Sequence, residues 1–182
     1  MKRNVFILLA FLALGMTASA QTEKGSWMIG GNLSLNTASQ NTQITVTPSA
    51  GYFFINNFAA GANVNISYSK FGQNKTTTLG VGPFARYYFG TMNIRPLIEG
   101  DLNFTSNKSA NSSTTTGSTT ENGTGFFIGG GLAAFINRNV AIEGLAGYDH
   151  TSVNGGSGGF NLRIGFQVYL TRTQVERMKT QM

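Results

Sequence analysis

Residues 160–170 read FNLRIGFQVYL, and the even positions of that stretch, Phe160, Leu162, Ile164, Phe166, Val168 and Leu170, are all apolar. The odd positions, Asn161, Arg163, Gly165, Gln167 and Tyr169, are mostly polar or small. Strict alternation with a period of two is the mark of a β-strand whose faces meet different surroundings. The run is also long enough for a tilted membrane-spanning strand, which needs ~9–11 residues. One such strand proves little. Its weight comes from recurrence.

The pattern recurs along the chain. Trp27, Ile29, Gly31, Leu33 and Leu35 alternate with small and polar residues in a first strand. A second carries Ile44, Val46, Ala50, Tyr52 and Phe54 on one face, with Pro48, which has no ladder donor, expected at a local irregularity. Phe58, Ala60, Ala62, Val64, Ile66 and Tyr68 define a third strand, and Leu79, Val81, Pro83, Ala85, Tyr87 and Phe89 a fourth. The fifth sets Ile94, Pro96, Ile98, Leu102 and Phe104 against Arg95, Leu97, Glu99, Asp101 and Asn103. The sixth, near 125–135, is glycine-rich and leaves its faces open. The seventh sets Val140, Ile142, Ala146 and Tyr148 against Ala141, Glu143, Leu145 and Gly147.

The links alternate too. Long polar links are expected at 37–42, 69–76, 105–124 and 149–159, with short turns at 55–57, 90–93 and 137–139. The stretch 105–124 is almost wholly Ser, Thr, Asn and Gly and cannot bury a core. The expectation is an all-β chain, an eight-stranded antiparallel up-and-down transmembrane β-barrel with both ends on the same side. Its aromatics would form two interfacial girdles. Trp27, Phe54, Phe58, Tyr87 and Phe89 fall at one end, and Tyr68, Phe104, Tyr148 and Phe160 at the other.

The amino end fits export. Lys2 and Arg3 precede an apolar run from Val5 to Met16, and Thr17-Ala18-Ser19-Ala20 closes it with small residues. This reads as a signal peptide over 1–20, cleaved before Gln21. A barrel at 21–170 and a short periplasmic C-terminal tail at 171–182 complete the expected organisation. No other stretch approaches the ~20 apolar residues of a membrane helix, so any span must be made of strands. Charged residues are only 11% of the chain, against ~25% in a typical soluble domain. The formal charge of +6 falls to +4 without Lys2 and Arg3, and the remaining basic residues are scattered. No nucleic-acid partner is expected. The chain has no cysteine, so backbone ladders and packing must hold it together, and a closed barrel leaves no strand edge unpaired.

Charges test the assignment of faces, because Arg or Lys facing mid-bilayer lipid costs ~2–4 kcal/mol. Arg86, Arg95, Glu99, Asp101, Glu143 and Arg163 all fall on the face opposite the apolar one. An eight-stranded barrel is only wide enough for side chains to fill it, so these six are expected to form an internal ion-pair network. Arg86 and Arg95 lie close across the turn at 90–93, and Glu99 or Glu143 would relieve them.

With these features assembled, the chain resembles the small outer-membrane β-barrel family, the eight-stranded outer membrane proteins of the A and X types, over nearly all of 25–170. The phrase AAFINRNVAIEGLAGY carries part of the resemblance. The end of the last strand, with Arg163, Gly165, Val168 and Leu170, resembles the C-terminal insertion signal of such barrels, although twelve residues follow it. The resemblance implies residence in the outer membrane of a Gram-negative cell envelope, with lipid and the barrel-assembly machinery as partners and a monomeric state. The peptidoglycan-binding domain that follows the barrel in the A type has no counterpart in 171–182.

Function is then expected to be structural, or surface contact through loops such as 105–124 that meet an extracellular ligand, with no catalytic residues, metal or cofactor. Alternatives remain. The lumen could form a narrow porin-like pore. Lipid A deacylases are barrels with a His-x-Ser pair, and His150-Thr151-Ser152 has that spacing, but Arg163 is the only charged residue of the last strand, where that family places its acid. A soluble exported ligand-binding barrel of lipocalin or streptavidin type would turn its apolar face inward.

Overall fold

The computed structural model describes residues 22–38, 41–71, 74–111, 119–153 and 156–180. The leader expected at 1–20 lies outside them. Each alternating segment is a strand: β1 (Trp27–Ala38), β2 (Asn41–Ile55), β3 (Phe58–Phe71), β4 (Asn74–Tyr88), β5 (Ile94–Asn111), β6 (Thr119–Asn137), β7 (Val140–Thr151) and β8 (Ser157–Leu170). Sequential neighbours pair antiparallel, and β8 returns to β1 from Trp27↔Leu170 to Ser34↔Arg163, closing the barrel. Closure satisfies both edges of every strand, the condition that lets a sheet stand in hydrocarbon.

The apolar set points outward. Leu162 and Ile164 are 67% and 68% exposed, whereas Arg86 and Glu143 keep 2% and 1%. A soluble ligand-binding barrel has the opposite sidedness. β6 resolves its faces by the same rule: Phe127, Ala133 and Phe135 are buried inside, while Phe126, Ile128 and Leu132 face out. Its glycines make room for a large ring, since Gly129 and Gly147 lie beneath Phe127, where an added Cβ would collide with the ring and with backbone. Both aromatic girdles face outward, and rings pair within the lower one, Trp27 with Tyr52 at 5.3 Å and Tyr87 with Phe89 at 4.9 Å.

Strands run further than the apolar pattern. Residues expected as loops join the ladder: β5 and β6 pair from Ile94↔Ala134 through to Ser109↔Thr119, and β3 and β4 pair as far as Phe71↔Asn74. The reason is physical. Outward apolar residues stop where lipid stops, at Phe104 on β5, but backbone pairing continues into water. Pro48 interrupts the β2–β3 ladder between Val46↔Ile66 and Ser49↔Asn63 without shifting register. Pro83 does the same on the β4–β5 side.

Short turns use local chemistry. Asn57 takes φ 66°, a left-handed conformation that asparagine tolerates. Asn139 N–H donates to Asn137 Oδ1 at 2.8 Å within its turn. Two terminal segments gather at this end. Residues before β1 fold under the barrel, where Asn57 N–H donates to Thr22 C=O at 2.7 Å and Phe53 N–H to Ser26 C=O at 2.9 Å. The tail expected after Leu170 forms a helix, α1 (Arg172–Thr180). Thr171 precedes it and donates its N–H to Gln174 Oε1 at 3.0 Å, one half of a capping box. Asn139 Nδ2 also donates to Gln174 Oε1, at 2.9 Å, tying the helix start to the neighbouring turn. No helix among the described residues is long and apolar enough to cross a membrane.

Candidate functional site

Inward positions recur every second residue, so each strand contributes a column of side chains to one narrow lumen. All six charges expected there are buried. Arg86 of β4 is the hub. Its Nε donates to Glu99 Oε2 on β5 at 2.7 Å, and its Nη2 makes a second, shorter contact with the same oxygen. Nη1 reaches Glu143 Oε2 on β7 at 2.6 Å. Arg163 of β8 lies 2.8 Å from Asp101 Oδ2 and 3.6 Å from Glu99 Oε1. Its guanidinium also stacks 3.5 Å over the Phe127 ring. Four walls of the barrel are thus tied through two arginines and three carboxylates.

Two tyrosines complete the cluster. The hydroxyls of Tyr88 and Tyr169 each lie 2.9 Å from Glu143 Oε1 and 2.7 Å from one another. Two protons serve three contacts, so two of these are hydrogen bonds at any moment. Arg86 Nη1 adds a bond to the Tyr88 hydroxyl at 2.9 Å. Beneath them Phe53 lies 6.1 Å from Tyr88 and 6.2 Å from Tyr169, with Phe135 5.1 Å from Tyr169. Met28, Phe84 and Leu97 fill the same half of the lumen. The interior is therefore polar at its centre and aromatic toward the termini.

Arg95 departs from the expected grouping. Glu99 and Glu143 both turn to Arg86, while Arg95, two inward steps nearer the terminal end of β5 than Glu99, donates from Nη1 to Thr22 Oγ1 at 2.7 Å and from Nε to Met92 C=O at 2.8 Å. It also stacks 4.5 Å over Phe135. The missed partner is Thr22, which sits in what reads as a featureless polar lead. Tyr88 and Tyr169 were legible as inward positions, but their meeting depends on how β4 and β8 face each other across the closed lumen.

Above the Arg163–Asp101 pair the lumen opens away from the termini into a cavity of about 560 Å³. Ser34, Thr45, Asn65, Ser67, Thr78 and Asn161 are among its lining residues. At its rim, His150 lies against Phe126 with ring centres 5.6 Å apart. The Ser152 hydroxyl accepts from Thr124 N–H at 2.9 Å. Gly165 of the expected insertion signal faces inward, where an added Cβ would meet Asn32, and Val168 and Leu170 are half-buried on the outer face. No group of carboxylate and histidine side chains suited to a metal occurs among the described residues.

Comparison with known proteins follows the same lines. The outer membrane protein beta-barrel domain family matches residues 6–167. No curated protein matches the chain. Among solved structures, the fold is similar to Neisserial surface protein A, with TM-score 0.57, 17% identity, and coverage of 81% of this chain and 97% of that one. OprG from Pseudomonas aeruginosa gives TM-score 0.56 and 14% identity, over 84% of this chain and 100% of that one. The N-terminal β-barrel domain of Pseudomonas aeruginosa OprF gives 0.53 and 18%, over 81% and 98%. Closed eight-stranded topology, an apolar outer wall and a family match spanning the barrel converge: the chain belongs to the outer membrane beta-barrel family and is an outer-membrane protein.

Proposed function

We propose that this barrel serves at the cell surface as a structural or contact protein, with its lumen closed to solute flow. The observation that carries the closure is the Arg86–Glu99–Glu143 cluster with Tyr88 and Tyr169, stacked on an aromatic layer that spans the lumen. Passage would require parting buried charges that neutralise one another, and a separated buried pair costs ~3–5 kcal/mol. The surface role draws on β5 and β6, which are 18 and 19 residues long where a span needs ~9–11. Their excess projects beyond the membrane as a Ser-, Thr- and Asn-rich hairpin. In this reading 1–20 is a cleaved leader, Arg163, Gly165, Val168 and Leu170 help the assembly machinery take up β8, and the mature chain is a monomer.

Planar-bilayer recording tests the closure. The wild-type protein is expected to give no discrete conductance, whereas Arg86→Ala, which opens the hub, should admit small ions. Discrete conductance in the wild type that changes in Glu99→Ala would establish a pore instead. Catalysis is absent from this proposal, and the rim supports that, because Ser152 is engaged with Thr124 and His150 packs on Phe126. Lipid A acyl profiles should be identical in cells with and without the protein. Shortened chains that depend on Ser152 would sink the non-enzymatic reading.

A further inference from the structure

Charged residues of this chain are sorted by face. Of its seven acidic residues, Glu99, Asp101 and Glu143 lie in the plug, while Glu23 precedes β1 and Glu176 lies in α1 at the terminal end. Asp149 lines the lumen cavity, and Glu121 stands in register with Asn107, which lines it too. Beyond the upper girdle, the outer wall thus presents no acid among the described residues. It does carry three lysines: Lys70 on β3, Lys75 on β4 and Lys108 on β5.

Backbone register brings them together. Lys70 and Lys75 are direct partners across the β3–β4 ladder. Lys108 pairs with Thr77, two residues along β4 from Lys75. Each lysine continues the outward set of its strand. Lys70 comes two residues beyond Tyr68, Lys75 four beyond Leu79, and Lys108, itself exposed, four beyond Phe104. At ~3.4 Å per residue and a strand tilt of ~40°, these positions lie about 5–10 Å past the girdle, at the height of lipid headgroups. Like charges directly opposite on a ladder destabilise it, so an anion at this height would be stabilising.

The wall beneath is shaped as well. On the same three strands Ala60 pairs with Ala85, Ala85 with Gly100, and Ala62 with Pro83. These outward positions form a stretch of low relief between Val64 and Val81 above and Tyr87 below. β8 has no such stretch, since Phe160, Leu162, Ile164 and Phe166 follow one another on its outer face. A basic patch at headgroup height over a low apolar wall suits an amphiphile with phosphates and several acyl chains. Lipid A, the anchor of the outer leaflet's lipopolysaccharide, has that build.

We propose that β3–β5 carry a lipid A site, with Lys70, Lys75 and Lys108 meeting its phosphates and its acyl chains lying over Ala60, Ala62, Ala85 and Gly100. The inference rests on the hairpin end being the outer one, as in the surface role above. It depends neither on the closed lumen nor on what the hairpin tip contacts.

The test is native mass spectrometry of the full chain in a neutral detergent, titrated with diphosphoryl lipid A, with the same lipid stripped of phosphate, and with phosphatidylglycerol. Saturable binding of one diphosphoryl lipid A per barrel is expected, with the other two much weaker. Lys70→Gln/Lys75→Gln/Lys108→Gln should lower affinity about a hundredfold, from about fivefold per lysine, the equivalent of ~1 kcal/mol for each at an anionic surface. Lys70→Arg/Lys75→Arg/Lys108→Arg, which keeps the charge, should bind as the wild type does. Ala85→Phe, which fills the low wall without changing charge, should also weaken binding. Each variant is first checked for a heat-shifted gel band, and the comparison of lipids on the wild type needs no variant. Equal binding of the phosphate-free lipid overturns the proposal, as does unchanged affinity in the folded glutamine or phenylalanine variant. A preference for phosphatidylglycerol would place the lysines at the inner leaflet and overturn it together with the assumed orientation.

Discussion

Gln167 is fully buried on β8, and neither atom of its amide has a partner among the described residues. An unpartnered buried amide costs ~1–3 kcal/mol, so Gln167→Leu should raise the unfolding free energy by about that amount. Urea titration read by gel mobility would show a higher midpoint, and a lower one would mean the amide is satisfied by other means. Glu143 is the converse case. Arg86 and two tyrosine hydroxyls converge on it, and Glu143→Ala should lower stability by ~3–5 kcal/mol, the penalty for breaking a buried pair. The same titration measures it. Inward placement of these charges was legible because apolar alternation assigned the faces independently. Glu99 and Glu143, expected to relieve the two arginines, both turn to Arg86, whereas the place of Arg95 beside Thr22 was not legible, since it is set by chain folded under the barrel.

Among the elements, β5 and β6 show where a sequence pattern and a strand part company. Above Phe104 the outward residues turn polar, and a reader of hydropathy sees a loop, yet the ladder continues to Ser109↔Thr119. Alternation reports the solvent on each face, while the strand is made by backbone pairing that is indifferent to it. The projecting hairpin buries none of the lumen cluster. Replacing 106–123 with a two-residue turn should therefore leave the heat-shifted band on gels intact, and loss of the band would show that the hairpin supports the span. α1 was hidden for a different reason. Its signal is the short phrase Thr171-Arg172-Thr173-Gln174, a Ser/Thr-x-x-Gln box that is easy to pass over beside a long amphipathic strand. Gln174→Ala should fray the helix and free it from Asn139, seen as lost amide protection across Arg172–Thr180 in hydrogen exchange.

For the molecule as a whole, eight strands, their order and two aromatic girdles followed from one repeated period, because only a closed wall satisfies eight two-faced strands in lipid. The seams of that wall are unequal. Among the described residues, β1 and β8 share eight residue pairs, from Trp27↔Leu170 to Ser34↔Arg163, whereas β5 and β6 share sixteen. The β1–β8 seam also joins residues from opposite ends of the chain, the contact with the largest loop-closure entropy to overcome. It should be the last join made during insertion and the first to part under stress. The chain has no native cysteine, so a single pair introduced at register partners Leu33 and Ile164 reports on that seam alone. Oxidised Leu33→Cys/Ile164→Cys protein should resist heat in SDS longer than a matched pair at Val81 and Phe104 on the β4–β5 seam. Equal resistance would mean that the barrel fails all around at once; unequal resistance would make this seam its zip.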